Sequence, residues 1–374
     1  MSRPLRVLVV GAGANIWKAH ARGLEAIDAQ VVGVHDRDQD RAAQAARLLG
    51  CPAAPDLSAL LATEADLAVV LTPHPSHAEV AVRCLRAGLH VLVEKPLAVS
   101  VAEADRMVAE AERSGRLLAV ALQHRTRREV REARRLIQEG ELGQLQRADL
   151  LATWPRRASY FQTAPWRGTW EGEGGGILIN QGQHDLDLLC HLAGLPRRVV
   201  GRTRNWMHSI QTEDTASALL EWDNGASGAI LLSTALVDEP QRLEISGTRG
   251  RLRLLPGRLE VWRHDVDFRE YAASAGNPFE TPGTEASRFD QSGGGEHRDI
   301  YVNLVEAIDN RAPLVAPARD AARTLELANS IIYSSMLARE VTLPLGREAY
   351  TALIEQLKAG ALPSGLGRRA APAS

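Results

Sequence analysis

The 374-residue chain has only three cysteines, Cys51, Cys84 and Cys190. They are scattered, odd in number and form no Cys-x-x-Cys pair. That excludes a disulfide framework and suits a reducing cytoplasm. An excess of one charge is also missing, because 44 basic residues face 46 acidic ones and leave a net charge of −2. Such a balance gives no electrostatic case for nucleic acid or a membrane surface as the main partner, and neither is expected. No apolar run approaches the ~20 residues of a membrane helix. The apolar stretch at residues 5–10 is too short for the core of a secretory leader and leads directly into a glycine turn, so a cytoplasmic location is expected. Eleven histidines form no His-x-x-x-His pair with acidic support, so no metal is expected. There is no Gly-x-Ser-x-Gly elbow, no Cys–His nucleophile pattern and no internal repeat.

What the sequence does contain is ordinary globular composition, 45% hydrophobic and 24% charged. Its length exceeds what one core usually organises and predicts two domains. Up to about residue 124 short apolar runs (6–10, 31–34, 67–71, 90–93 and 117–121) alternate with helical segments (18–27, 41–49, 78–87 and 101–113). Near-continuous apolar strands separated by helices predict a doubly wound parallel sheet, an α/β dinucleotide-binding fold over 1–124. After a basic helix at 126–138 the extended runs follow one another without helices between them, at 146–154, 197–206, 216–222, 226–233, 242–246, 251–255 and 258–263. Asp223-Asn224-Gly225, Gly247-Thr248-Arg249-Gly250 and Pro256-Gly257 punctuate them as turns. Residues 125–360 are therefore expected to be an α+β substrate-binding and oligomerisation domain with a large, mostly antiparallel open sheet. Helices are expected near 185–192, 299–309 and 321–338, a loop at 272–295, and a flexible tail at 361–374. A sheet covered on one side only leaves apolar residues on the other in need of cover.

The first strand runs into Gly11-Ala12-Gly13-Ala14-Asn15-Ile16. Two glycines permit a tight turn and a close approach of backbone N–H groups to a pyrophosphate, with a helix N-terminus behind them. Ile16 stands where the third glycine of the usual pattern would serve helix–strand packing. Asp36 follows the second strand, where a carboxylate can bind both ribose hydroxyls and repel a 2′-phosphate. NAD(H) is therefore expected as cofactor. Arg37 leaves NADP(H) open, since its guanidinium could grip a 2′-phosphate. Thr72-Pro73 with His77 follows the third strand, and Glu94-Lys95-Pro96 the fourth. Both belong at the carboxyl edge, where open α/β sheets bind ligands.

With these elements the chain resembles the glucose–fructose oxidoreductase / inositol dehydrogenase (Gfo/Idh/MocA) family of pyridine-nucleotide sugar dehydrogenases. The matching residues are Gly11, Gly13, His20, Asp36, Thr72, Pro73, His77 and Glu94-Lys95-Pro96. In the second domain they are Trp166-Arg167, Gly174-Gly175-Gly176 and Asn180-Gln181-Gly182-Gln183-His184. The resemblance implies hydride transfer between NAD(H) and a secondary hydroxyl of a sugar, sugar derivative or cyclic polyol. Lys95 would stabilise the alkoxide and His184 would act as general acid/base. Many members have Asp four residues before that histidine; here Asn180 can orient groups but cannot take a proton. Gly11, Gly13, Asn15, Ile16, Asp36, Arg37, Thr72, Pro73, His77, Glu94, Lys95, Trp166 and Arg167 are expected on the cofactor. Lys95, Gln123, Arg125, Tyr160, Trp166, Asn180 and His184 are expected on the substrate, with His124 and Asp185 in reserve. Family members commonly pair, so a homodimer or homotetramer is expected. Two rival readings stay open: a glycosidase that oxidises its sugar transiently on NAD, and a non-enzymatic nucleotide-sensing regulator.

Overall fold

The computed structural model describes residues 3–13, 16–238 and 241–361. Asn15, expected on the cofactor, lies outside the described residues, as does all but the first residue of the expected 361–374 tail. Two compact units emerge. The first takes the chain up to Thr126 together with Glu171–Gly174 and Gly294–Leu325; the second takes Arg127–Trp170, Gly175–Gly293 and the chain from Glu326 onward. The division is thus not a single cut, because a late segment returns to the first unit.

In the first unit β1 (Arg6–Val10), β2 (Gln30–His35), β3 (Leu67–Val70), β4 (His90–Val93) and β5 (Leu118–Val120) form one sheet in the order β2-β1-β3-β4-β5. Every pairing in it is parallel. All four residues of β3 and all three of β5 are buried. Successive side chains point to opposite faces, so unbroken burial means that both faces are covered, as the unbroken apolar runs require. The helices between strands begin and end on local signals. Asp38 caps Gln39–Leu49 through the Asp40 and Arg41 N–H groups, and Gly50 closes that helix in the left-handed conformation. Ser100 and Glu103 form a reciprocal capping box at the start of Val101–Ser114.

The second unit holds a nine-stranded sheet: β6 (Leu145–Thr153), β7 (Arg198–Arg204), β8 (Thr215–Glu221), β9 (Ser227–Ser233), β10 (Gln241–Gly247), β11 (Gly250–Leu255), β12 (Arg258–His264), β13 (Thr284–Phe289) and β14 (Val341–Thr342). Its order is β13-β12-β11-β10-β6-β9-β8-β7-β14. The β6–β9 pair is parallel and the remaining pairs are antiparallel. Burial alternates along β7 and β10, so one face packs and the other meets solvent.

One sequence expectation needs correction here. The segment 272–295 is not all loop, since β13 pairs with β12 inside it. Five of the six β13 residues are exposed, so no apolar alternation marked the strand. The open face of the sheet carries both apolar and charged residues. Val200 and Leu219 are exposed on it, and ion pairs run across β6, β10, β11 and β12: Arg147–Asp149 at 2.9 Å, Arg253–Glu244 at 2.9 Å and Arg253–Glu260 at 3.5 Å. The Arg251 guanidinium lies 3.9 Å over the Trp262 ring and shields the large aromatic of this region.

Candidate active site

The carboxyl edge of the parallel sheet gathers most of the expected first-unit residues. Gly11 follows β1 at φ +88°, and a Cβ there would lie 2.7 Å from the Thr72 nitrogen and 2.8 Å from the Leu71 carbonyl carbon. Only glycine fits, which brings the β1 turn and the β3 loop into direct contact at the point where the strand order reverses. Gly13 N–H donates to Asp36 Oδ2 at 2.9 Å, and Asp38 N–H donates to Asp36 Oδ1 at 3.0 Å. Arg37 is exposed. Arg41, which sequence reasoning passed over, crosses the turn closely enough that a Cβ on Gly13 would meet its Cδ at 2.6 Å. Ile16 sits at the start of the helix Trp17–Ala26 and is 37% exposed, so it does not fill the packing role of the absent third glycine.

Beyond β3, Thr72 Oγ1 is buried with no hydrogen-bond partner among the described residues. Pro73 opens a short 3₁₀ turn, His74–Ser76. His77, fully buried, places Nε2 2.7 Å from Thr72 O and Nδ1 2.8 Å from Pro96 O, tying the β3 loop to the Glu94-Lys95-Pro96 turn. Burial pushes its imidazole below the ordinary value against the pull of those two carbonyls, so a neutral ring serves one carbonyl at a time. Glu94 accepts the Lys95 backbone N–H at 3.0 Å. Gln123, three residues past β5, has a buried Oε1 with no hydrogen-bond partner among the described residues.

Sheet order sorts these residues into a row. Asp36, Gly11, Thr72, Lys95 and Gln123 leave β2, β1, β3, β4 and β5, which are neighbours in that sequence. Three strand steps separate the Asp36 end from Lys95, about 14 Å at the usual inter-strand spacing. This suits an extended dinucleotide with its adenosine ribose at Asp36 and its reactive ring near Lys95. The side-chain-free Gly11 turn and the unpartnered Thr72 hydroxyl fit the same ligand.

Arg125 is placed differently from expectation. It is 2% exposed, and its guanidinium donates to Val315 O and to Asp320 Oδ2, each at 3.1 Å. Both partners lie in the late segment of the first unit, so this charge holds that segment in place rather than facing substrate. His124 beside it is buried.

In the second unit a polar cluster centres on the Tyr160 hydroxyl. Gln181 Nε2 lies 3.2 Å from it, Asn180 Nδ2 lies 3.4 Å from it, and Arg167 donates to it. The Arg167 guanidinium sits 4.3 Å over the Tyr160 ring and 4.5 Å over the Trp166 ring. Tyr160, Trp166, Arg167 and Asn180, expected separately, thus come together. His184 is half-buried in the first turn of the helix Gln183–Ala193. Asp185 next to it is fully buried and accepts from Trp154 Nε1 at 2.7 Å and Gln241 Nε2 at 2.6 Å. Those bonds anchor the helix to the sheet and leave Asp185 no open oxygen to offer as a base.

One further group was missed. His20 and Glu94 meet His297, and their ligand-type atoms all lie within 4.8 Å of one another. Hydrogen bonds to a shared Glu94 oxygen account for that spacing. Its members come from three distant segments, so no local motif could announce it.

A glycine turn at the switch point of a five-stranded parallel sheet marks a dinucleotide-binding fold. Residues 5–122 match the domain described as "Oxidoreductase family, NAD-binding Rossmann fold", and residues 130–253 match the "GFO/IDH/MocA C-terminal domain". The chain belongs to the Gfo/Idh/MocA oxidoreductase family, and its first unit is an NAD-binding Rossmann domain. It is 31% identical over 261 residues to trans-1,2-dihydrobenzene-1,2-diol dehydrogenase of Mus musculus, covering 67% of this chain and 74% of that protein. It is also 31% identical over 241 residues to UDP-N-acetylglucosamine 3-dehydrogenase of Acidithiobacillus ferrooxidans, covering 64% and 69%. Among solved structures, the WlbA dehydrogenase of Bordetella pertussis in complex with NADH and UDP-GlcNAcA superposes with a TM-score of 0.79. That match has 26% identity and covers 92% of this chain and 100% of that one.

Proposed function

We propose that the protein is an NAD(H)-dependent dehydrogenase acting on a secondary hydroxyl of a sugar, sugar derivative or cyclic polyol. The observation that carries this reading is the row along one sheet edge. In that row Lys95, on the turn after β4, stands three strand steps from Asp36. When bound, NAD⁺ supplies a hydride acceptor.

Lys95 donates to the reacting hydroxyl oxygen and stabilises the negative charge that develops there. His184 takes the hydroxyl proton and returns it in the reverse direction, a role for which an imidazole can both accept and donate a proton. Asn180 orients its neighbours through hydrogen bonds, and Arg167, held between Tyr160 and Trp166, presents a fixed charge to the same cluster. Gln123 Oε1, buried without a partner, accepts a hydrogen bond from a ligand hydroxyl. Asp36 favours NAD over NADP, because its carboxylate would face a 2′-phosphate.

The test is a screen of NAD⁺ reduction across sugars, inositols, uronates and anhydrosugars with the purified chain. Substrate-dependent accumulation of NADH supports the proposal. Product release without net NADH would show the transient-oxidation chemistry of a glycosidase instead, and tight NADH binding without turnover on any substrate would favour a sensor.

A further inference from the structure

Glu94 is 8% exposed and stands one residue before Lys95, and its two oxygens have separate duties. Oε2 accepts the Lys95 backbone N–H at 3.0 Å. Oε1 faces His20 Nε2 at 2.9 Å and His297 Nε2 at 3.0 Å. On its other side, His20 Nδ1 meets the Tyr301 hydroxyl at 2.8 Å. His20 and Tyr301 are both fully buried. The helix of His20 fits against Tyr301 without a gap, since a Cβ on Gly23 would lie 2.2 Å from the Tyr301 ring. His297 and Tyr301 are one helical turn apart on His297–Ile308 and so share a face. This helix lies outside both segments that match the family domains.

The protons in this chain have one consistent arrangement. Burial pushes the Tyr301 hydroxyl well above its ordinary range, so it keeps its proton. Burial also holds the His20 imidazole below its usual value, so it is neutral. A protonated phenol donates to Nδ1, which leaves the single His20 proton on Nε2, aimed at Glu94. Burial alone would raise the Glu94 carboxyl. The bonds from His20 and His297 outweigh it and hold that carboxyl well below the usual range.

We propose that His20, His297 and Tyr301 are positioning residues for Lys95. They fix an ionised Glu94, which pins the Lys95 backbone and keeps one buried negative charge a single residue from the amine. The reach of this inference rests on Lys95 being the catalytic amine proposed above, although the network itself does not. Other titratable groups face Glu94 too: His74 and His77 from the loop after β3, and Lys95 on its own turn. The charge on Glu94 matters because an opposite charge nearby favours the ammonium form that best stabilises an alkoxide. A polar contact that merely filled space would fix the loop without setting the charge on the amine.

The chain makes a direct test feasible, because it contains only three lysines, Lys18, Lys95 and Lys358. Reductive ¹³C-methylation of the full-length protein gives three side-chain amine signals and one terminal signal, and Lys95→Arg identifies the one of interest. The Lys95 signal is titrated in the unmodified protein and in Glu94→Gln, His297→Ala and His297→Gln. Glu94→Gln is expected to lower the pH at which Lys95 titrates by about one unit. His297→Ala leaves the His20 bond to Oε1 in place and moves the Lys95 titration by less, and His297→Gln recovers at least half of that change, because its amide can still donate to Oε1. Titration of Lys95 at the same pH in all four proteins overturns the proposal. If Glu94→Gln does not fold, His297→Ala decides by the same criterion. The two readings fail separately: a normal hydride-transfer rate in Lys95→Ala removes the catalytic role and leaves the titration result standing, whereas an unmoved titration removes the network alone.

Discussion

Replacing Gly11 with alanine should damage the cofactor cradle without dissolving the sheet beneath it. Two penalties add. Alanine at φ +88° costs about 1–2 kcal/mol, because its Cβ crowds the adjoining carbonyl in the left-handed region. Its Cβ also arrives 2.7 Å from the Thr72 nitrogen and 2.8 Å from the Leu71 carbonyl carbon, both backbone atoms that cannot swing aside. Overpacking of this kind costs about 1–3 kcal/mol. The sum is about 2–5 kcal/mol of stability, read by guanidinium denaturation. Gly50→Ala is the control, because its φ is +64° and a Cβ there meets nothing within 4 Å, so only the conformational penalty applies. The second readout is NADH affinity by fluorescence titration. Relief of the clash moves Thr72, and through His77 it also moves Pro96 and the Lys95 turn. NADH should therefore bind at least about tenfold more weakly to Gly11→Ala, a loss of 1.4 kcal/mol, and normally to Gly50→Ala. Equal behaviour of the two variants would refute the claim that Gly11 is required by contact with the β3 loop.

Three further outcomes are expected. Asp36→Ala should narrow the gap between NAD(H) and NADP(H) binding measured by calorimetry; tighter NADP(H) binding by the unmodified protein would show that Arg37 and Arg41 dominate instead. Asp320→Ala should lower stability by about 3 kcal/mol in thermal or denaturant unfolding, because it removes the carboxylate that answers the buried Arg125 charge; a change within about 0.5 kcal/mol would contradict that role. Stability should fall as pH drops from 7.5 to 5.5. His20, His74 and His77 all titrate below 6.5 when folded, so the unfolded chain binds more protons in that window, and each contributes a loss of up to about 1.4 kcal/mol per pH unit below 6.5. Unfolding midpoints that stay constant over that range would contradict their burial as neutral rings.

The parallel sheet was legible because its strands are covered on both faces and therefore read as unbroken apolar runs, as in Leu67–Val70. The cofactor edge was legible because glycine, Asp36 and the Glu94-Lys95-Pro96 turn each follow such a run. What could not be read was anything defined by a distant partner. Arg125 looked like a ligand-facing charge until Asp320, nearly two hundred residues away, was seen beside it. His297 and Tyr301 sit on a helix whose sequence shows only an amphipathic pattern, and their meeting with His20 and Glu94 depends on that segment returning to the first unit. β13 escaped notice for the opposite reason: its exposed polar residues pair through backbone bonds that leave no side-chain signature.

The central claim is that Lys95 and His184 carry hydride transfer at a hydroxyl carbon. Its most direct test is the single-turnover rate of NADH formation, with NAD⁺ and the substrate found in the screen, in Lys95→Ala and His184→Ala. Lys95→Ala should lose ~10²–10³ in rate and His184→Ala ~10²–10⁴, with NADH affinity unchanged in both. Near-normal rates in both variants would contradict the account.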